Sequence, residues 1–147
     1  VSDDATRERL TTLLADQPLA VLATQGAAGP HASLVAFAAT DDLRHVFFAT
    51  ARETRKFANL AADPRVALLV DSRSNRESDF EDAAATTIAG RAEEVAEEDR
   101  PALLSVYLGK HPSLADFVAS PTCALLKVRV DAYQVVTQFQ NVITWSP

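Results

Sequence analysis

Cysteine is nearly absent from this chain: Cys123 stands alone among 147 residues. One thiol cannot close an intrachain disulfide or build a thiolate metal cluster, and that composition fits a reducing compartment. Glycine is almost as scarce. Four in the whole sequence leave no material for a glycine-built dinucleotide loop, and neither a Walker loop nor a Gly-x-Ser-x-Gly elbow occurs. Basic residues are outnumbered, 14 against 20 acidic, for a net charge of −6; a duplex-binding surface needs the opposite balance. No apolar run approaches the roughly 20 residues that span a bilayer. The opening Val1-Ser2-Asp3-Asp4 is acidic with no apolar run behind it, which is not the pattern of a secretory signal. The three histidines, His31, His45 and His111, are scattered without metal-ligand spacing and read as surface or strand-edge residues. A cytoplasmic location without nucleic-acid, membrane or metal partners is the expectation.

What is present is ordinary globular material, 48% hydrophobic and 23% charged, enough for one domain across residues 1–147. Leu10, Leu13 and Leu14 share one face of a predicted helix over Asp4–Ala15 that stops before Pro18. Leu19–Thr24, His31–Ala39 and Arg44–Ala49 then read as strands joined by short turns, two hairpins in succession. A helix from Thr54 to Ala62 is closed by Asp63-Pro64. Arg65–Val70 is nearly all apolar, which predicts a strand buried on both faces. Polar Asp71–Asp82 predicts a surface loop. A strand over Thr86–Val95 follows, and a helix over Glu97–Gly109 turns Leu103, Leu104, Tyr107 and Leu108 inward. The acidic pairs Glu93-Glu94 and Glu97-Glu98 at that junction read as a solvated face with helix N-terminal charge. Ser113-Leu114-Ala115-Asp116 has capping-box spacing with Asp in place of Glu. A long strand over Ala124–Val136 and an extended piece over Asn141–Trp145 complete a mainly antiparallel β-fold with flanking helices.

Thr50-Ala51-Arg52-Glu53-Thr54-Arg55-Lys56 is the segment with chemical content. It lies where a strand ends and a helix begins, and Thr54 is well placed as the N-cap. Arg55 and Lys56 then fall in the first helical turn, where cations oppose the helix dipole. A bound phosphate compensates them, because free N–H groups, two hydroxyls and two cations converge on one anion. The competing reading is that both cations pair with carboxylates on a solvated surface.

The order of these elements resembles the FMN-binding split-barrel family related to pyridoxamine 5′-phosphate oxidase. The resemblance rests on His45-Val-Phe-Phe-Ala-Thr50, Thr54-Arg-Lys56, Asn59-Leu60 and Asp63-Pro-Arg-Val-Ala-Leu-Leu69, with Gly29-Pro-His-Ala-Ser-Leu-Val35 upstream. Farther on, Gly90-Arg91, Tyr107-Leu108, His111-Pro112 and Gln138 to Trp145 resemble the haem-utilisation branch, without its glycines near Gln138 to Asn141 and without its additional C-terminal domain.

The resemblance implies a six-stranded antiparallel split barrel and a homodimer with flavin at the subunit interface. It places the FMN phosphate on Thr50, Thr54, Arg55 and Lys56, and the backbone of Ser33, Leu34 and Val35 along the isoalloxazine edge. Without the family, those three residues read as ordinary core strand. Trp145 either covers the flavin or caps the barrel, and the second is the better expectation. After Arg129 the chain has no basic residue, so the arginine-bearing C-terminal motif that grips substrate phosphate in the true oxidases is missing. Pyridoxamine phosphate is therefore not the expected substrate. In flavoproteins the cofactor carries the electron transfer, and no catalytic side chain is nominated. The fold accommodates three activities: an oxidoreductase using reduced nicotinamide and a small acceptor, a non-catalytic flavin- or haem-binding protein, and a deazaflavin-dependent reductase.

Overall fold

The computed structural model describes residues 3–147; Val1 and Ser2, part of the leader reading above, lie outside the described residues. Seven strands form one antiparallel sheet: β1 (Leu19–Gly26), β2 (Gly29–Ala39), β3 (His45–Ala51), β4 (Arg65–Asp71), β5 (Ala84–Glu94), β6 (Cys123–Thr137) and β7 (Asn141–Trp145). Their order is β3-β2-β1-β4-β5-β6-β7, and β3 also pairs with β6, so the first six close into a barrel. β7 is appended to the outer edge of β6. A register shift between Ala89 and Gly90 bends β5 against β6. A side chain at Gly90 would run into the Arg129 carbonyl oxygen, which is why this position is glycine.

Five helices decorate the barrel: α1 (Asp3–Asp16), α2 (Arg55–Ala62), the single turn α3 (Asp79–Asp82), α4 (Arg100–Lys110) and α5 (Ala115–Ala119). Among the described residues no helix is long and apolar enough to cross a membrane. The leucine face of α1 enters the interior, where Leu10, Leu13 and Leu14 join Leu22, Phe37, Leu43, Val70 and Tyr133 in the main core. α2 packs against β1, and its Leu60 joins the same core. Its Asn59 Nδ2 donates to Thr24 Oγ1 at 3.0 Å, and the same carboxamide occupies the space a side chain at Gly26 would need.

A second core lies outside the barrel wall. Ala38, Phe47, Ala49, Cys123 and Leu125 face outward from β2, β3 and β6 and are covered by Tyr107 of α4 and Val118 of α5. Phe47 and Tyr107 meet at 6.2 Å between centroids. β3, not β4, is therefore the strand buried on both faces. On β4 the inward Val66, Leu68 and Val70 alternate with half-buried Ala67 and with Leu69, which is 39% exposed.

Three local expectations change. The polar stretch 71–82 ends in α3, and Asp79 ties it down by accepting from the backbone N–H groups of Ser74, Asn75 and Arg76. α4 starts at Arg100 rather than Glu97, with Pro101 in its first turn, a position where proline's missing N–H costs nothing. Ser113 is no N-cap: it sits inside a 3₁₀ turn, Pro112–Leu114, and makes no capping hydrogen bond before α5. Proline one residue earlier favours the tighter turn over a regular start.

Candidate functional site

Thr54 caps α2 as expected: its backbone is extended and its hydroxyl accepts from Phe57 N at 3.3 Å. The same hydroxyl lies 3.0 Å from Thr50 Oγ1 and donates to Ala51 O at 2.9 Å. The end of β3 and the start of α2 are thus stitched together by two threonines, which fixes where Arg55 and Lys56 emerge. The first turn of α2 carries no acidic residue, and among the described residues neither cation makes an ion pair or hydrogen bond. Arg52 behaves oppositely. It forms a two-pronged pair with Glu94, both contacts at 2.7 Å, and that guanidinium holds the Glu94 carboxyl below its ordinary range. Glu94 therefore neutralises a neighbouring arginine rather than only facing water. The carboxylate-pairing alternative holds for Arg52 and fails for Arg55 and Lys56.

Ser33, Leu34 and Val35 lie on the other side of an opening in the wall. The β2–β3 ladder runs only from Phe37↔Phe48 to Ala39↔Val46; continued by two steps, it would set Val35 opposite Thr50. The strands separate instead, while β2 stays paired with β1 along its length. Phe37 N donates to Pro18 O on the β1 side. Main-chain groups alternate sides along a strand, so those of Leu34 point away from β1, into the opening, with no strand opposite them. Tyr107 OH closes the gap at one position, donating to Ala36 O at 2.9 Å; burial pushes that phenol up to about 12.

Side chains on the inner face of β2 add a second set of unused groups. Ser33 Oγ and His31 Nδ1 are buried with no hydrogen-bond partner. Burying a polar atom unpaired costs ~1–3 kcal/mol, so both positions are suited to a polar ligand. His31 stands opposite Thr24, the residue that Asn59 of α2 binds. The sequence reading missed His31 because the signal, an orphaned nitrogen on a splayed strand, exists only in three dimensions. His111 also departs from expectation. It is 8% exposed, its Nε2 lies 2.7 Å from Phe37 O, and its ring lies 5.1 Å from that of Tyr107. It is a structural clamp, not a surface residue. Trp145 packs on Tyr133 at 5.9 Å between centroids against the main core, the position of a barrel cap.

The opening thus presents two unpaired cations at a capped helix N-terminus, a free strand edge and two orphaned polar atoms, a set that fits a phosphate-bearing ring system. Among the described residues no cluster of His, Cys, Asp and Glu could hold a metal.

Comparison with solved structures finds the same fold at low identity. A haem-binding protein from Mycobacterium smegmatis superposes with a TM-score of 0.85 at 20% identity, over 99% of this chain and 58% of that one. A protein related to general stress protein 26 (pyridoxinephosphate oxidase family), from Clostridium acetobutylicum, gives 0.74 at 16% identity, over 99% and 96%. A FAD-binding protein from Mesorhizobium loti gives 0.69 at 15%, over 87% and 91%. This chain spans less than two thirds of the haem-binding protein's length. A search of curated proteins finds no match. The family model described as pyridoxamine 5′-phosphate oxidase matches residues 6–137. With nearly the whole barrel inside that match, the chain belongs to the pyridoxamine 5′-phosphate oxidase family.

Proposed function

We propose that the protein is a homodimeric FMN-dependent oxidoreductase of the cytoplasm, taking electrons from a reduced nicotinamide and passing them to a small acceptor. The observation that carries this reading is the pair Arg55 and Lys56: two uncompensated cations at a capped helix N-terminus, beside a strand edge with free main-chain groups. Thr50, Thr54, Arg55 and Lys56 would hold the phosphate. The free main-chain groups of Leu34, with the Ser33 hydroxyl, would meet the ring's donors and acceptors; the main-chain groups of Ser33 and Val35 are spent on β1. When bound, the flavin supplies the electron-transfer chemistry; this chain's residues bind it, orient it and shield one side.

The opposite face of the same strands supports the dimer reading. Leu34, Val21 and Leu69 are successive cross-strand neighbours, as are Ala32, Ala23, Ala67, Ala89 and Ala132. This flat apolar face includes Leu34 at 65% exposure. Its own helices do not cover it, since α1 enters the barrel interior and α4 covers β2, β3 and β6. A two-fold partner would bury it for both copies at once.

Haem is the second reading, favoured by the free His31 Nδ1, a nitrogen able to ligate iron. The visible spectrum of the purified protein separates the two. Flavin absorbance that bleaches on anaerobic addition of NADH or NADPH supports the oxidoreductase; a Soret band without flavin overturns it. Replacing Arg55 and Lys56 together with Ala should weaken FMN binding at least tenfold, since each charge-assisted bond contributes ~1.5–3 kcal/mol. Unchanged flavin occupancy after dialysis would remove the phosphate assignment.

A further inference from the structure

α1, α4 and the turn between β2 and β3 enclose a cavity of about 340 Å³, within the size range of small-molecule sites. Leu14 and Ala15, Ala38 and Leu43, and Val106 and Gly109 give it a mainly apolar lining. Ala38 and Ala39 on its wall belong to the paired stretch of β2, so the cavity lies beyond the opening where β2 and β3 separate.

Lys110, the last residue of α4, also lines it. A lysine at a helix C-terminus ordinarily carries its charge into water. This one turns back: its Nζ donates to Leu14 O at 2.7 Å and lies 3.8 Å from the centre of the Phe37 ring. Of the lining residues Asp41 alone carries a carboxylate, and among the described residues it makes no ion pair with Lys110. Burial brings the amine's pKa down to about 8, so a substantial neutral fraction exists close to neutral pH. The bond to Leu14 O takes one N–H of that neutral amine and leaves its lone pair unclaimed. A lysine desolvated in an apolar pocket is the form that adds to carbonyl compounds.

Gly109 keeps the cavity open beside Lys110. A glycine within a helix costs about 1 kcal/mol relative to alanine. Here φ is not positive, and a Cβ would meet no atom within 4 Å. Neither backbone geometry nor crowding calls for glycine at this position; its missing side chain leaves free space along the cavity wall.

We infer that this cavity binds small aliphatic aldehydes and holds them as an imine on Lys110 Nζ. The apolar lining selects the alkyl chain, and the amine selects the carbonyl. The nitrogen lone pair forms a bond to the carbonyl carbon while a proton passes from nitrogen to oxygen, giving a carbinolamine. Loss of its hydroxyl as water leaves the C=N bond, so amine and aldehyde become imine and water with no change of oxidation state. One cation and one carboxylate on the lining suit a neutral ligand better than an anion. The inference stands apart from the flavin and dimer readings, because it uses neither α2, the free edge of β2 nor the Leu34 face.

The chain's three lysines, Lys56, Lys110 and Lys127, provide the test with internal controls. The full chain is treated at pH 7.5 with hexanal and cyanoborohydride, which reduces an imine to a stable hexyl-lysine that peptide mass spectrometry locates. Lys110 should be labelled about tenfold faster than Lys56 and Lys127, because its neutral fraction is larger and the chain is held beside it. Glycolaldehyde, which has no alkyl chain, should show a several-fold smaller preference. Gly109→Phe and Ala15→Trp, the second at an exposed position on the α1 wall, should each slow hexanal labelling of Lys110 several-fold while circular dichroism stays native. Saturating FMN should leave the Lys110 rate unchanged. Equal rates at the three lysines, an equal preference with both aldehydes, or undiminished labelling in both wall variants overturns the site. So does slowing by FMN, which would make the cavity part of the flavin site.

Discussion

The barrel has two outer faces built from equally apolar sequence, and the fold treats them oppositely. On the β3 and β6 side, Phe47, Ala49, Cys123 and Leu125 are sealed beneath α4 and α5, with Tyr107 and His111 reaching down to the carbonyls of Ala36 and Phe37. On the β1, β2 and β4 side, Leu19, Leu34 and Leu69 face outward with no helix above them. A half-covered barrel places its stability on one side and its unmet apolar surface on the other. The opening between β2 and β3 lies where the two regimes meet, which puts the candidate flavin site beside the face that lacks a cover.

The largest consequence is on stability. Phe47→Ala should cost about 3–5 kcal/mol in urea denaturation, because it empties a filled second core. Leu69→Ala in a monomeric background should cost well under 1 kcal/mol. Equal costs would mean that the two faces do not differ.

The next effect tests what covers the open face. Leu69→Asp should lower the mass seen by light scattering to that of one 15.8 kDa chain, because an unpaired charge buried in an interface costs several kcal/mol. A wild-type protein that is already monomeric would break the proposal outright.

Tyr107→Phe probes the seam between the two sides. It removes the donor to Ala36 O and leaves that carbonyl unsatisfied, an expected loss of ~1–3 kcal/mol. Because Ala36 borders the opening, flavin affinity should fall along with stability. A variant that loses stability but binds FMN as the wild type does would separate the covered face from the site.

The smallest effect is a slope with pH. Lys110 on α4 donates to Leu14 O of α1 at 2.7 Å and lies 3.8 Å from the centre of the Phe37 ring; burial brings its pKa from 10.5 down to about 8. Between pH 8 and 10.5 the unfolded chain therefore binds more protons at this position, so its contribution to stability rises with pH across that window and is flat below it. Lys110→Met should remove that rise. Thermal denaturation at pH 7.5 and 9.5 compares the two proteins, and parallel shifts would show that Lys110 is not desolvated.

Most strands and helices were legible in the sequence because their causes are local. Leu10, Leu13 and Leu14 repeat at helical spacing, Thr54 supplies an N-cap hydroxyl, and Asp63-Pro64 stops α2. The phosphate-site candidates were legible for the same reason: Thr50, Thr54, Arg55 and Lys56 lie within one strand-to-helix junction. Exposure was harder to read. Arg65–Val70 and His45–Ala51 are both apolar runs, yet only the second is buried on both faces, since burial depends on which helix returns from a distant part of the chain.

By itself, then, the sequence determined the element order, the family pattern and the pair of cations at the head of α2. Tertiary structure alone decided that Arg52 is neutralised by Glu94 while Arg55 and Lys56 are not, because the partners are 42 residues apart. It also decided that Ser33 Oγ and His31 Nδ1 are left without partners, that His111 is buried, and that Phe80 meets Phe139. Each depends on pairing between distant parts of the chain, β5 with β6 for Phe80 and Phe139 and, for the wall itself, β3 with β6 across more than 70 residues, which no local periodicity encodes.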